Sequence, residues 1–260
     1  MNKFLSRIII AAAVSTLLIF ISCTEENITN PPQQETPDYF PHTEGTYYKF
    51  EITQSDSSGI IDTGFRTVSY SGDTTIDRTP YRVQIDSTET NQQMTVTESF
   101  FRTTETGVFY FVDTTGFSAS LPDSLKSLVE IQQEMRAYLF PLEGGSTWTV
   151  YRVSIPINEF ISFTPINITG RFEANESILL NLISGDTTIT TKKVSFAFAF
   201  TPSPEGSIVT YNANVWLADN IGVVKIEGDA ILVSLLTGGG LTVTGSPTVV
   251  NQKLIEFKIK

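Results

Sequence analysis

The fold of this chain is decided by the stretch Val-Ser-Phe-Ala-Phe-Ala-Phe at residues 194–200. Large apolar side chains alternate there with small ones, and this period of two is typical of a β-strand, whose successive side chains point to opposite faces of a sheet. We expect the valine and the phenylalanines to face a core, and Ser195, Ala197 and Ala199 to face a neighbour that packs closely. The stretch therefore predicts a strand in an aromatic-rich sheet.

Runs of β-branched and aromatic residues extend this pattern along the chain, and turns of Gly, Asp, Asn and Ser separate them. The predicted strands are Tyr47–Thr53, Phe65–Tyr70, Tyr81–Ile85, Met94–Phe101, Val108–Val112, Thr147–Ile155, Phe160–Phe172, Ile178–Ile183, Thr188–Phe200, Ile208–Leu217, Val223–Ile226, Ala230–Leu236 and Leu254–Ile259. They predict an all-β fold, a large antiparallel meander that is either a half-barrel or a β-sandwich. Because Ala230–Leu236 is apolar on both faces, we expect a helix, a second sheet or an apolar ligand to cover it.

One helical pattern interrupts the strands. Leu121-Pro122-Asp123 is typical of a helix start, and Phe140-Pro141 ends the pattern. Between them, apolar and long side chains recur at helical spacing at Leu125, Leu128, Val129, Gln132, Met135 and Leu139. We expect one helix around residues 123–139 that covers a layer of the core.

Three pairs of motifs recur in the same order. They are Phe40-Pro41 with Phe140-Pro141, the identical hexapeptides Ser71–Ile76 and Ser184–Ile189, and Gly107-Val108 with Gly222-Val223. Each Phe-Pro corner is followed by a Gly turn and an aromatic residue, and each hexapeptide is typical of a tight hairpin connection. The order indicates an internal repeat of 38–120 and 138–260, although chance similarity of turns is the alternative. Nothing in these motifs performs chemistry.

The N-terminus carries a secretion signal. Lys3 and Arg7 precede an apolar run at residues 8–21, which is shorter than the roughly 20 residues that span a bilayer, and Ser22 stands before Cys23, the only cysteine. This arrangement resembles the lipobox of bacterial lipoproteins. The resemblance implies that residues 1–22 are a cleaved signal peptide and that the thiol of Cys23 carries a diacyl lipid anchor, with palmitate among its acids.

A polar segment follows the cysteine. Residues 23–37 are almost free of apolar side chains and predict a flexible tether, which leaves 38–260 as the β-rich domain. Thr24 is not the Asp that usually retains lipoproteins at the inner membrane, and Glu25-Glu26 is similar to the export tag of surface-displayed lipoproteins. We expect a lipid-anchored outer-membrane protein of the cell envelope, on its periplasmic side or on the cell surface.

The charge excludes one large class of partners. Loss of Lys3 and Arg7 with the signal would take the formal net charge from −11 to −13. Such a field repels phosphate backbones and anionic membrane surfaces, so we expect no nucleic-acid binding and a membrane contact through the lipid alone.

The sequence offers little for catalysis. His42 is the only histidine, an acylated Cys23 is no nucleophile, and no G-x-S-x-G motif occurs. Clusters of His and Cys for a transition metal and an EF-hand spacing are missing too, so we expect no metal and no cofactor. Carboxylate chemistry stays open, because acids distant in sequence could pair in space. These acids are Asp73, Asp113, Glu130, Glu134 and Asp186.

A second resemblance rests on Tyr39-Phe40-Pro41, the Gly-Asp-Thr-Thr-Ile turn and the segment Trp216–Lys225. These motifs are similar to those of a widespread group of β-rich bacterial outer-membrane lipoproteins, and the resemblance implies a fold and a location but no activity. We therefore expect a non-catalytic envelope lipoprotein that binds an apolar or glycan ligand or a partner protein, through residues that the sequence does not identify. The alternative is an acid-pair glycoside hydrolase acting on envelope or extracellular glycans.

Overall fold

The computed structural model describes residues 38–114, 129–157, 162–238 and 248–260, all within one compact unit of the chain. Residues 1–22, Cys23 and the tether at 23–37 lie outside the described residues. The predictions of a signal peptide, a lipidated cysteine and a flexible tether therefore stay predictions.

In the described ranges, thirteen strands form one antiparallel sheet. The bounds are β1 Tyr47–Asp56, β2 Gly59–Ile76, β3 Thr79–Thr90, β4 Gln93–Thr104, β5 Gly107–Phe111, β6 Glu130–Ile131, β7 Glu134–Leu139, β8 Thr147–Pro156, β9 Ser162–Leu182, β10 Gly185–Phe200, β11 Val209–Ala218, β12 Gly222–Asp229 and β13 Val249–Lys258. The prediction of an all-β antiparallel meander is confirmed. The strands predicted at 160–172 and 178–183 both overlap one long strand, β9, and residues 160 and 161 lie outside the described residues.

Strand order shows how the sheet curls. Strands β1 to β5 and β8 to β13 follow chain order, and β13 pairs with both β12 and β1, which joins the two runs. The edge strands are β6, which pairs with β8, and β7, which pairs with β5. Only Gln132 and Gln133 separate these two edges in sequence. The sheet therefore curls until its edges nearly meet, and this matches the curled alternative rather than a sandwich of two sheets.

Helix α1, Ala230–Leu236, is the helix of the described residues. The prediction of a strand at Ala230–Leu236 is wrong, because a short apolar run fits a buried helix as well as a buried strand. The helix buries its own side chains Leu232, Val233 and Leu236, and Gly238 just after it lies close to Ser99 on β4. The helix therefore covers the concave face of the sheet. No helix in the described ranges is long and apolar enough to cross a membrane.

The helix predicted around residues 123–139 is wrong over its second half. Glu134–Leu139 forms strand β7, in which Met135 and Ala137 are buried. Ladder bonds to β5 and burial of alternate side chains outweigh the helical spacing of the apolar residues. Residues 123–128 lie outside the described residues.

The decisive stretch lies in β10 and is buried as predicted. Val194, Phe196 and Phe198 are at most 2% exposed, whereas Ser195 on the opposite face is half-buried. A second aromatic cluster surrounds Phe40, whose ring centroid lies 5.2 Å from that of Phe101. The core is therefore assembled from the inward faces of the strands and from the segment that precedes β1.

The repeated motifs differ in how well their structures match. The Phe-Pro corners end in equivalent turns, because Gly45 and Gly145 have φ of 84° and 85°. The hexapeptides do not match: Ser184–Ile189 enters β10 from a hairpin turn, whereas Ser71–Ile76 lies inside β2 with a register shift between Ser71 and Asp73. The hairpin interpretation is therefore wrong for the first copy, and the internal repeat stays a prediction.

Candidate functional site

A cavity of about 620 Å³ lies between helix α1 and strands β4 to β9. Its described lining is Glu98, Ser99, Phe100, Tyr110, Phe111, Val112, Asp113, Thr114, Ile131, Met135, Tyr151, Val153, Ile166, Ile168, Leu235 and Gly238. The volume falls within the range of about 300–1,000 Å³ that small-molecule sites occupy.

The deep wall of the cavity is apolar. Met135 on β7, Val153 on β8 and Ile168 on β9 are each at most 3% exposed, and each occupies an inward position of its strand. Tyr151 also faces inward, but its hydroxyl donates a hydrogen bond to the carbonyl oxygen of Gln132 at 3.0 Å. Burial raises the pKa of Tyr151 to about 12, so the hydroxyl stays protonated. The wall therefore offers apolar surface with few free polar groups.

The mouth of the cavity lies where β4 and β5 separate. Their ladder ends at the pair Phe101 and Tyr110, and residues on both strands beyond this pair line the cavity. The exposed members of the described lining are Glu98 and Asp113, and both are acidic. The cavity therefore has an acidic rim toward solvent and an apolar interior.

Ser99 places one polar group inside the rim. Its Oγ is buried and has no hydrogen-bond partner in the part of the chain that the structure describes. A buried hydroxyl without a partner costs about 1–3 kcal/mol, so such atoms mark places where water or a ligand binds. Gly238 at the end of α1 is adjacent, because a Cβ built on it would lie 2.5 Å from Ser99 Oγ.

A buried polar network lies on the other side of α1. Arg66 donates from Nε to Asp86 Oδ1 at 2.5 Å and from Nη1 to Gln252 Oε1 at 3.1 Å. Gln84 donates to Asp86 Oδ2 at 2.6 Å and accepts a hydrogen bond from Tyr110 at 2.9 Å. Arg66 and Asp86 line a second cavity of about 330 Å³. Each of these side chains forms a hydrogen bond to another member of the network, which makes the network a structural feature of the core.

The acids that the sequence suggested for catalysis have different neighbours in the structure. Arg102 binds Glu134 with two hydrogen bonds of 2.6 Å and lowers the pKa of that carboxyl, while Tyr81 donates a third at 2.8 Å. Asp73 lies 3.0 Å from Arg82, and Asp186 accepts from Asn181 at the β9–β10 hairpin. Asp113 lines the cavity, and the side chain of Glu130 lies outside the described residues.

His42 is packed into the aromatic cluster rather than facing solvent. Its Nδ1 donates to the carbonyl oxygen of Phe40 at 2.7 Å, and its ring centroid lies 5.3 Å from that of Phe101. The turn at Asp219 and Asn220 holds the start of the domain, because Asn220 N donates to the carbonyl oxygen of Asp38 at 2.9 Å. No group of three or more His, Cys, Asp and Glu in the described ranges could hold a metal ion.

Sequence reasoning missed the cavity because its lining comes from six strands, the connections between them and α1. Of the described lining residues, only Asp113 was among the acids that the sequence suggested for catalysis. One signal existed at Asp113, which follows the apolar strand β5, whereas Glu98 lies in the middle of the largely polar strand β4. To connect this signal with a cavity, one would have had to know that β4 pairs with β5.

Three solved structures are similar to this chain at low identity. A candidate lipoprotein from Parabacteroides distasonis ATCC 8503 has 16% identity and a TM-score of 0.45, and the match covers 86% of this chain and 100% of that one. A candidate exported protein with a YmcC-like fold from Bacteroides fragilis NCTC 9343 has 14% identity and a TM-score of 0.44 over the same shares. The hypothetical lipoprotein YmcC from Escherichia coli K12 has 15% identity and a TM-score of 0.35, covering 81% of this chain and 84% of that one.

No family model and no curated protein matches the sequence. At these identities and TM-scores, none of the three structures assigns a function to the chain.

Proposed function

We propose that this chain is a lipid-anchored envelope protein whose curled sheet holds an apolar ligand. The cavity of about 620 Å³ behind an acidic rim carries the proposal. Cavities of this size with mostly aliphatic and aromatic walls are the usual form of binding sites for apolar small molecules. Catalysis is not part of the proposal, because three of the acids suggested by the sequence are engaged with separate neighbours.

The location of the protein rests on its N-terminal sequence. The basic start, the apolar run and Ser22-Cys23 support export and acylation at Cys23, with the outer membrane as the destination. A permanently tethered binding module acts in place rather than shuttling its ligand. The anchor and the cavity therefore suit a protein that holds a membrane-derived or envelope molecule close to the bilayer.

The test is to isolate the full chain from its own envelope and to extract molecules that are not covalently bound. We expect an apolar molecule at close to one per chain. Val153→Trp fills the cavity from its deep wall, because Val153 is 2% exposed and lines it. The matched control is Val209→Trp, because Val209 is 44% exposed on β11 and lies outside the lining.

We expect the Val153→Trp chain to lose the extracted molecule and the Val209→Trp chain to keep it. Circular dichroism of both variants checks that they fold. Equal amounts in all three chains, or none in the wild type, would contradict a binding role for the cavity. In the same cells, labelled palmitate should enter the wild-type chain and not the Cys23→Ser chain, and labelling of both would contradict the anchor.

A further inference from the structure

We infer, building on the proposed function, that the ligand is an apolar chain ending in a hydrogen-bonding group that is uncharged or cationic. This group is an alcohol or an amine, and it lies at the mouth between β4 and β5. A carboxylate, phosphate or sulfonate end does not suit this site.

Charge at the mouth is the first argument. The lining residues that reach solvent are Glu98 and Asp113, and the described lining includes no Lys, Arg or His. Asp113 has an interaction partner of its own. An anionic end group would stand beside the carboxylate of Glu98 at the edge of a low-dielectric cavity, where like charges repel more strongly than in water. A protonated amine would be stabilised by the same negative field, whereas the field would change the binding of an uncharged alcohol little.

Ser99 gives the second argument. Among the described residues its buried Oγ has no hydrogen-bond partner, although a hydroxyl can both donate and accept a hydrogen bond. An alcohol or an amine at the mouth can donate to this oxygen. An end group without polar atoms would leave Ser99 unsatisfied, and this favours a ligand that is polar at one end.

The buried guanidinium of Arg66 does not line this cavity. Arg66 lines the cavity of about 330 Å³, and not the apolar one. Its guanidinium is occupied by Asp86 and Gln252, and its Nη2 lies 3.5 Å from the carbonyl oxygen of Thr237 at the end of α1. An anionic ligand in the apolar cavity would therefore find no cationic side chain among the described lining residues.

The experiment uses the full chain in nanodiscs and three photoreactive probes that share one hexadecyl chain with a diazirine. The probes end in a hydroxyl, an amine or a sulfonate, the last of which stays anionic at every pH used. Peptides containing Met135 and Ile166–Ile168 report labelling inside the cavity, normalised to labelling of the nanodisc lipid. At neutral pH we expect the sulfonate to label these peptides about tenfold less than the other two probes.

Two variants separate the contributions. Glu98→Gln should reduce the excess of amine over sulfonate labelling, and Ser99→Ala should lower labelling by the alcohol, while the exposed turn variant Glu205→Gln changes neither. Sulfonate labelling equal to that of the alcohol would overturn the inference about the end group and leave the binding role intact. Cavity peptides that no probe labels, or that label equally in Val153→Trp, would overturn the binding role and this inference with it.

Discussion

Arg66 and Asp86 form an ion pair whose side chains are 7% and 6% exposed. Removal of one partner leaves a buried charge without its counterion, which costs about 3–5 kcal/mol, whereas removal of both is far less costly. We expect Arg66→Leu and Asp86→Leu each to destabilise the chain by several kcal/mol and the double variant to be more stable than either. Urea unfolding of the three variants measures the coupling between the two residues.

The control for this cycle is the pair of Arg82 and Asp73, in which the arginine side chain is 23% exposed and the carboxylate is open to solvent. These side chains lie 3.0 Å apart without hydrogen-bond geometry, and Asp73 is 66% exposed. Exposed pairs contribute about 0–1 kcal/mol, so the same cycle there should give a coupling near zero. Equal couplings in the two cycles would show that burial does not strengthen the Arg66–Asp86 pair.

Glu134 should make stability depend on pH. Two hydrogen bonds from Arg102 lower the pKa of its carboxyl in the folded chain, with a smaller contribution from Tyr81. Because the folded pKa lies below the unfolded one, the stabilisation is present above the unfolded pKa and is lost as the pH falls through the folded pKa. We expect Glu134→Gln to cost about 1 kcal/mol at pH 7, since the pair is partly exposed.

Urea unfolding of wild type and Glu134→Gln from neutral to strongly acid pH checks this. The difference between them should shrink in acid, whereas Glu205→Gln should match wild type throughout. A difference that stays constant into strong acid would mean that the carboxylate charge contributes nothing and that the loss is one of packing.

At the scale of the element, strands with regular alternation could be predicted from sequence, and two segments could not. The stretch in β10 is unambiguous because Phe196 and Phe198 alternate with small residues over a full strand. Ala230–Leu236 is apolar except at Ser234, and only the concave face beneath it selects a helix. Glu134–Leu139 has helical spacing with its upstream residues, but the ladder with β5 selects a strand. The cavity was missed for the same reason, because its residues meet only through long-range pairing.

Gly238 fixes where α1 ends against β4. It has φ of +87°, and a Cβ there would approach Ser99 Oγ to 2.5 Å. Gly145 has nearly the same φ, +85°, with nothing within 4 Å of such a Cβ. Both alanine variants carry the backbone cost of roughly 1–2 kcal/mol. Gly238→Ala should cost about 1–3 kcal/mol more, because the helix end must move away from β4.

Urea unfolding of Gly238→Ala and Gly145→Ala measures that difference, with the backbone contribution common to both. Equal losses would mean that the end of α1 adjusts freely and does not pack tightly against β4. A larger loss for Gly238→Ala should come with weaker binding of the alcohol probe, since Ser99 belongs to the same contact.

At the scale of the whole molecule, the nearly closed sheet has one weak seam. Strands that are neighbours in the sheet are joined by backbone ladders, β6 with β8 included, whereas the described contacts that β7 and Gln132 make with β8 include side-chain hydrogen bonds, so the seam lies between β7 and β8. Trp148 Nε1 donates to the carbonyl oxygen of Arg136 at 3.2 Å, and Tyr151 donates to that of Gln132 at 3.0 Å. The seam borders the cavity, because Tyr151 lines it. If the cavity binds the proposed ligand, we expect opening of the seam to admit it from the side.

Tyr151→Phe tests this arrangement, because it removes one bond across the seam and leaves a backbone carbonyl without its donor. A single hydrogen bond of this kind is worth about 1 kcal/mol, so local opening should become several times more frequent. Hydrogen exchange of the full chain should then be faster in β7 and β8 and unchanged in β10, which is paired on both sides. Tyr47→Phe, which removes a bond to Glu256 far from the seam, should leave β7 and β8 unaffected. Faster exchange throughout the sheet would instead mean that the molecule opens as a unit, and that a ligand enters only when the whole sheet loosens.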